Sequence, residues 1–177
     1  MQLNSDLILY HPLWERADNE LVSKDRLGIF GRLIDVYLLA CAIGIKEDKI
    51  IESPKESESN SKREIGRNTY TSAINTNLRD MLDFMLQNAI IYSKTIDYDL
   101  DERLKLAFNP DYSISKFSPA NFLTGFANYG LDQIFEHIDA TSSSLVAASD
   151  LYKYFESMSE SQYEVLLKNI TLEDLVE

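Results

Sequence analysis

An all-α domain of about six helices is the fold class this sequence predicts, and three observations carry it. Apolar residues recur at three- and four-residue steps in several stretches, the period of a helix with one buried face. The 177 residues include only 6 Gly and 4 Pro, too few for the dense turns of a sandwich or barrel. They leave no glycine-rich loop to cradle a phosphate. At 45% hydrophobic and 26% charged, the chain has enough apolar material for a core and is unlike a disordered polymer. Its length suits one compact domain, which excludes a large multidomain enzyme.

Residues 1–28 read as an N-terminal arm. The run LILY forms a short strand or extended stretch, His11-Pro12 breaks it, and Trp14 anchors it on the core. A helical core domain spans 29–140. Its first helix runs from Ile29 to Ile43, with Phe30, Leu33, Ile34, Tyr37, Leu38 and Cys41 at helical spacing and Gly44 as the stop. A loop with six acids and six bases between Lys46 and Arg67 follows, its centre at Glu52 to Ser61 predicted to be mobile. The next helix starts at a Thr71 or Ser72 cap and reaches Ile91. It buries a stripe of Ile74, Leu78, Met81, Leu82, Met85 and Ala89, opposite Arg79, Asp80, Asp83 and Gln87. A short helix from Leu100 to Phe108 ends at Asn109-Pro110-Asp111. Ser118-Pro119 reads as a cap and first-turn proline, opening a helix that turns Phe122, Phe126, Leu131, Ile134, Phe135 and Ile138 to the core. After the Thr141 to Ser144 break, residues 141–177 form an acidic C-terminal pair of helices. One runs from Leu145 to Met158 with Leu151, Tyr154 and Phe155, the other from Ser161 to Asn169 with Tyr163, Leu166 and Leu167.

The formal net charge of −12 is unevenly placed. From Asp132 onward ten acids face two bases, Lys153 and Lys168, so the last 46 residues carry −8. Such a surface repels a chain of phosphates, and unassisted tight binding to DNA is not expected. It suits a basic partner instead, with Tyr152, Glu156, Glu160 and Glu164 as the partner-binding candidates. The single cysteine excludes an internal disulfide. The start of the chain lacks the pattern of an export signal, and its longest apolar run, Val36 to Ile43, is far shorter than the roughly 20 residues that span a bilayer. A cytoplasmic protein without a membrane role is expected.

Side chains with chemical potential are scarce. Cys41 lies in an apolar helix with no basic neighbour, the setting of an inert core thiol. His11 and His137 are far apart in sequence and form no zinc or triad spacing; His137 suits a helix C-terminus. Asp97, Asp99 and Asp101 fit the first positions of a calcium loop, but Glu102 and Phe108 stand where the loop needs a glycine and a glutamate. Helix capping explains the acids more simply. Lys62, Arg63 and Arg67 are the one compact basic cluster, candidates for phosphate contacts on a nucleic acid held by a partner. Tyr112, Tyr129 and Tyr152 are aromatic candidates for a protein interface. No catalytic residue, metal or cofactor is expected.

Two stretches resemble a known family. Asp35-Val36-Tyr37-Leu38-Leu39-Ala40-Cys41-Ala42-Ile43-Gly44, followed by Lys46 and Lys49, is similar to the D-V-F-L-x-A-A-x-G pattern of small proteins from bacterial anti-phage defence operons. Among these are a Dnd-system-associated family and accessory subunits encoded with SMC-like ATPases and nucleases, of Lamassu-like type. Phe126-Ala127-Asn128-Tyr129-Gly130-Leu131 is similar to their Y-A-N-x-G-[IL] segment. Tyr37 and Phe126 each stand where the pattern has the other aromatic. The resemblance covers roughly residues 30–138 and brings no catalytic residue with it. It implies a non-enzymatic accessory or scaffold subunit whose partner is an SMC-like ATPase or a nuclease, with DNA contacted only indirectly. Two alternatives stand beside it. One is an acidic DNA-mimic inhibitor; the other is a metal-dependent hydrolase using Asp97, Asp99 and Asp101.

Overall fold

The computed structural model describes residues 3, 5–54, 61–72, 75–115, 117–139 and 141–169, with side-chain surroundings as far as Met158. The elements follow in the order β1 (Leu7–Leu9), α1 (Leu13–Ala17), a π-helical turn (Asp18–Val22), α2 (Leu33–Glu47), β2 (Arg63–Ile65), α3 (Asn68–Thr71), α4 (Thr76–Tyr92), α5 (Leu100–Phe108), α6 (Pro119–His137) and α7 (Ser144–Asn169). The fold is all-α apart from a two-stranded antiparallel pairing of β1 with β2, Leu7 opposite Ile65 and Leu9 opposite Arg63. Among the described residues no helix is long and apolar enough to cross a membrane.

Helices α2 and α6 form the centre. Both are apolar enough to bury most of their circumference: Ile34, Val36, Tyr37, Ala40, Cys41 and Ile43 on α2, and Leu123, Phe126, Ala127, Leu131 and Ile134 on α6 are all at most 2% exposed. Glycines let the two backbones touch. A Cβ at Gly44 would lie 2.1 Å from the Phe126 carbonyl oxygen, and one at Gly130 would lie 1.9 Å from that of Ala40. Gly44 is therefore an interior residue of α2 and not its stop. The helix runs on to Glu47 and closes at Asp48, whose left-handed conformation (φ 50°, ψ 46°) returns its N–H to the Gly44 and Ile45 carbonyls. An aspartate tolerates that region better than most side chains.

The first 28 residues, expected as an arm, supply Leu3, Leu7, Leu9, Trp14, Ala17 and Leu21 to the core. Strand β2 gave no sequence signal. Two of its three residues are charged and only Ile65 is buried. The helix expected from Thr71 or Ser72 starts later, as α4 at Thr76, with the short α3 ending at Thr71 ahead of it, and its buried stripe is rotated. Leu82, Leu86, Ala89 and Ile90 face inward, while Met81 is 45% exposed; Ile74 lies outside the described residues. The expected loop centre, 52–61, falls partly on residues outside the description.

Two capping expectations hold, whereas the cap expected at Thr71 or Ser72 falls instead at Asn75. Asp99 and Glu102 form a reciprocal capping box at α5, and the Ser118 hydroxyl oxygen accepts the Asn121 N–H at 3.3 Å ahead of Pro119. At the other end of the chain the expected pair of helices is one continuous helix, α7. No Gly or Pro interrupts residues 156–162. Interior serines cost only tenths of a kcal/mol each, and the Ser157 hydroxyl is satisfied within the helix by donating to the Tyr154 carbonyl at 2.7 Å.

Arg103 ties α5 to the end of α4. Its guanidinium donates to the carbonyls of Ile91 (3.1 Å), Ser93 (2.5 Å), Ile96 (2.6 Å) and Tyr98 (2.8 Å), collecting acceptors at the C-terminus of α4 and in the connection that follows it. Arg103→Met keeps the aliphatic stem but strands those oxygens. It is expected to cost about 3 kcal/mol, read as a melting temperature lowered by roughly 6–12 °C. An unchanged melting temperature would show that water replaces the guanidinium at no cost.

Candidate functional site

The family-like motifs face one another across the α2–α6 contact, and their buried polar side chains are spent inside the fold, whereas Asp35 pairs with Arg32 at the surface and Lys46 and Lys49 are exposed. The Asn128 amide is fully buried. Its Oδ1 accepts the Trp14 indole N–H at 2.8 Å, and its Nδ2 donates to the Ile51 carbonyl (3.0 Å) and the Ser53 hydroxyl (3.1 Å). Tyr37 and Thr124 share a hydroxyl hydrogen bond at 3.1 Å. The Cys41 thiol lies 3.7 Å from the Leu123 carbonyl, to which it donates. Burial pushes the Tyr37 and Cys41 groups far up, so both stay protonated at neutral pH and neither is an activated nucleophile. Lys49 lies over the Tyr129 ring and donates to its hydroxyl at 3.2 Å.

Among the described residues neither histidine meets a catalytic partner. His137 ends α6, its Nδ1–H donating to the Gln133 carbonyl at 2.8 Å, and its ring stacks on Tyr154 with centroids 3.8 Å apart. It therefore joins α6 to α7. His11 accepts the Leu13 N–H weakly through Nδ1 (3.4 Å), and burial lowers its pKa against the opposing pull of Asp132. The unfolded chain thus binds the His11 proton more readily than the folded one. Stability is intact above the unfolded value near 6.5 and declines as pH falls from there towards the lowered folded value. Urea midpoints measured from pH 7 to pH 5 are expected to fall more steeply for the wild type than for His11→Gln; parallel curves would remove His11 from the acid response.

Of the acidic run, Asp99 is held by the capping box and Asp101 pairs with Lys105 one turn on, leaving Asp97 exposed. Among the described residues no three His, Cys, Asp or Glu side chains gather as metal ligands. The basic cluster is partly neutralised. Arg63 on β2 reaches Glu15 (3.3 Å) and Asp18 (3.2 Å), whereas Lys62 and Arg67 stay exposed. Arg63 thus serves the N-terminal packing, and only two of the three candidate phosphate contacts face solvent.

The partner-binding candidates lie along α7. This helix meets the core through Ala147 and Leu151, with Tyr154, Phe155 and Met158 packed against its edge, a stripe at helical spacing. Its other side is open: Leu145 is 80% and Tyr152 62% exposed, and Glu156 is exposed as well. A hydrogen bond to Glu156, one turn on, raises the Tyr152 pKa. Glu160 and Glu164 fall four and eight residues beyond Glu156 in the same continuous helix; their side chains lie outside the described surroundings. Tyr112 and Tyr129, the other interface candidates, are half-buried.

Two further surfaces lie outside the candidates read from the sequence. A cleft of about 550 Å³ opens between the 50–53 segment and the start of α6, lined by the rings of Tyr98, Phe117 and Phe122, with Glu52 as the charged side chain among its described walls. It draws on separate stretches of chain that no local pattern connects. The second is a pair of apolar ridges, Met81, Phe84 and Tyr92 on α4 and Leu100, Leu104 and Phe108 on α5, each residue 42–76% exposed. Their signal is present in the sequence, since α4 carries apolar residues around most of its circumference, more than one buried face requires.

In comparisons with known proteins, no family model matches the chain, and no curated protein or solved structure matches it.

Proposed function

We propose that this protein is a non-enzymatic accessory subunit of a multiprotein bacterial defence assembly, docking onto a larger ATPase or nuclease through the outer face of α7. The observation that carries this reading is the open side of that helix. Tyr152 and Glu156 stand exposed on an element whose opposite stripe alone meets the core. The 26 residues of α7 extend about 39 Å at 1.5 Å per residue, long enough to present several turns to a partner. Carboxylates at Glu156, Glu160 and Glu164 recur at one-turn spacing and match a basic surface. Tyrosine beside them adds a side chain enriched in binding hot spots. Within the family-like motifs the buried Asn128 amide bonds Trp14, Ile51 and Ser53 and the Tyr37 hydroxyl bonds Thr124, a structural use that fits a scaffold better than a reaction centre. DNA would then be met through the partner, because the C-terminal −8 repels phosphates.

Co-expressed with the products of neighbouring genes, the tagged chain is expected to carry one of them through purification. Tyr152→Ala combined with Glu156→Lys is expected to weaken that complex by roughly 100-fold without lowering the melting temperature, since both side chains are exposed. A double variant that holds the partner at the wild-type level would exclude α7 as the docking face. Duplex DNA displacing the partner from the wild-type chain would instead favour an acidic DNA mimic.

A further inference from the structure

The apolar residues of α7 change sides along the helix. As far as Met158 the helix leans on the core through Ala147, Leu151, Tyr154, Phe155 and Met158. Each residue turns the helix by about 100°, so that line continues past Met158 through Ser161, Gln162, Val165 and Asn169, three of them polar. The opposite line starts at Leu145 and Tyr152 and passes through Glu156, all exposed, then runs on through Tyr163 and Leu167, with Leu166 at its edge. Tyr163 follows Tyr152 by eleven residues and Glu156 by seven, and Leu167 follows Glu156 by eleven; each of these steps returns to within about 20° of the same line. The outward line thus gains large apolar residues where the core-facing line loses them.

A helix that packs on its own domain throughout keeps its apolar residues on one face. Helix α7 spends its first half on the core and turns the apolar residues of its second half to the other side, the form of an element shared between two bodies. The outward line is also narrow and straight. From Leu145 to Leu167 it extends about 33 Å at 1.5 Å per residue. A second helix laid alongside follows such a line for its whole length, ridge into groove.

Charge decides between occupants. Residues 150–168 hold four acids, Asp150, Glu156, Glu160 and Glu164, and two bases, Lys153 and Lys168. Lys153 pairs with Asp150 at 3.2 Å, which leaves three glutamates at one-turn steps against Lys168. Glu156 stands within the outward line itself, so whatever covers it has to supply an ammonium or guanidinium, because an unpaired carboxylate is costly to bury. A second copy of α7 would bring two glutamate rows together, and phosphates are repelled in the same way. Resting on the docking face proposed above for α7, we infer that the partner contributes an amphipathic helix, its apolar stripe laid along Tyr152, Tyr163 and Leu167 and its lysines or arginines on the flank that meets Glu156, Glu160 and Glu164.

Tyr163→Gln combined with Leu167→Gln changes no charge and keeps helix-compatible residues. In the full chain this double variant should melt at the wild-type temperature; a lowered melting temperature would place the two residues on the chain's own core and overturn the inference. The binding probe is a labelled peptide of about 25 residues, long enough to hold a helix, with leucines at three- and four-residue steps flanked by lysines. By fluorescence anisotropy the wild-type chain should bind it at least roughly 10-fold more tightly than a counterpart flanked by glutamates, and the double variant should lose at least roughly 10-fold for the lysine peptide. Equal affinity for the two peptides, or undiminished binding by the variant, would overturn the inference. Co-expression separates the two readings. A partner lost with Tyr152→Ala and Glu156→Lys but kept with the glutamine pair would leave the docking face standing and remove this helix alone, whereas a bound lysine peptide with no co-purified neighbour would remove the accessory reading alone.

Discussion

Gly130→Ala is expected to be the most damaging single change in the protein. The added methyl would fall 1.9 Å from the Ala40 carbonyl oxygen and 2.6 Å from its carbon, atoms of helix backbone that have no rotamer to yield. Relief requires α6 to lift from α2 by more than 1 Å at their crossing, which loosens close-packed neighbours along both helices. Overpacking in a core ordinarily costs about 1–3 kcal/mol; with backbone as the obstacle the expected loss is about 4 kcal/mol or more, enough to unfold a marginally stable domain. Gly44→Ala meets the Phe126 carbonyl at 2.1 Å and should behave alike. The control is Gly31→Ala, whose added methyl would meet only the flexible Asp35 carboxylate, at 3.8 Å. Urea denaturation followed by circular dichroism should show Gly31→Ala within about 0.5 kcal/mol of wild type and Gly130→Ala unfolded or insoluble. A folded Gly130→Ala with an unshifted midpoint would refute the close approach of the two helices.

Asn128→Ala is expected to cost about 3–4 kcal/mol for a different reason, the orphaning of buried polar groups. One amide serves three partners from two distant parts of the chain. Removing it leaves the Trp14 indole N–H without its acceptor and frees the Ile51 carbonyl and Ser53 hydroxyl. Asn128→Asp should be no better. A carboxylate still accepts from Trp14, but it has no proton for the Ile51 carbonyl and brings charge into a fully buried position. Trp14 is the only tryptophan, so its emission reports this site directly during chemical unfolding. Both variants should unfold at clearly lower denaturant, with the melting temperature down by roughly 6–16 °C. A midpoint unchanged in Asn128→Ala would mean that water satisfies the three groups.

These two positions also show what the sequence discloses and what it conceals. Periodicity located α5 and α6 closely, because Asp99, Ser118 and Pro119 mark helix starts by local chemistry. It misjudged Gly44, because a glycine after an apolar run is the usual stop signal, whereas here its lack of a side chain serves a neighbour 82 residues away. It also divided α7 at a serine-rich stretch, where each serine weakens a helix without ending it. The rotated face of α4 escaped for a related reason. With apolar residues around most of a helix, spacing alone does not choose which are buried. Arg103 carried no signal at all, since its acceptors are carbonyls exposed by the end of another helix. Of the candidate site residues, Tyr152 and Glu156 lie on an open helix face, Arg63 is engaged by Glu15 and Asp18, and the α4–α5 ridges required burial to be seen.

The most direct test of the accessory-subunit reading is native mass spectrometry of the full chain co-purified after expression with each product of the neighbouring genes. The expected result is one stoichiometric complex with a larger protein that is lost when Tyr152→Ala and Glu156→Lys are introduced together. Spectra that contain only this chain, alone or paired with itself, beside every neighbouring product would contradict it.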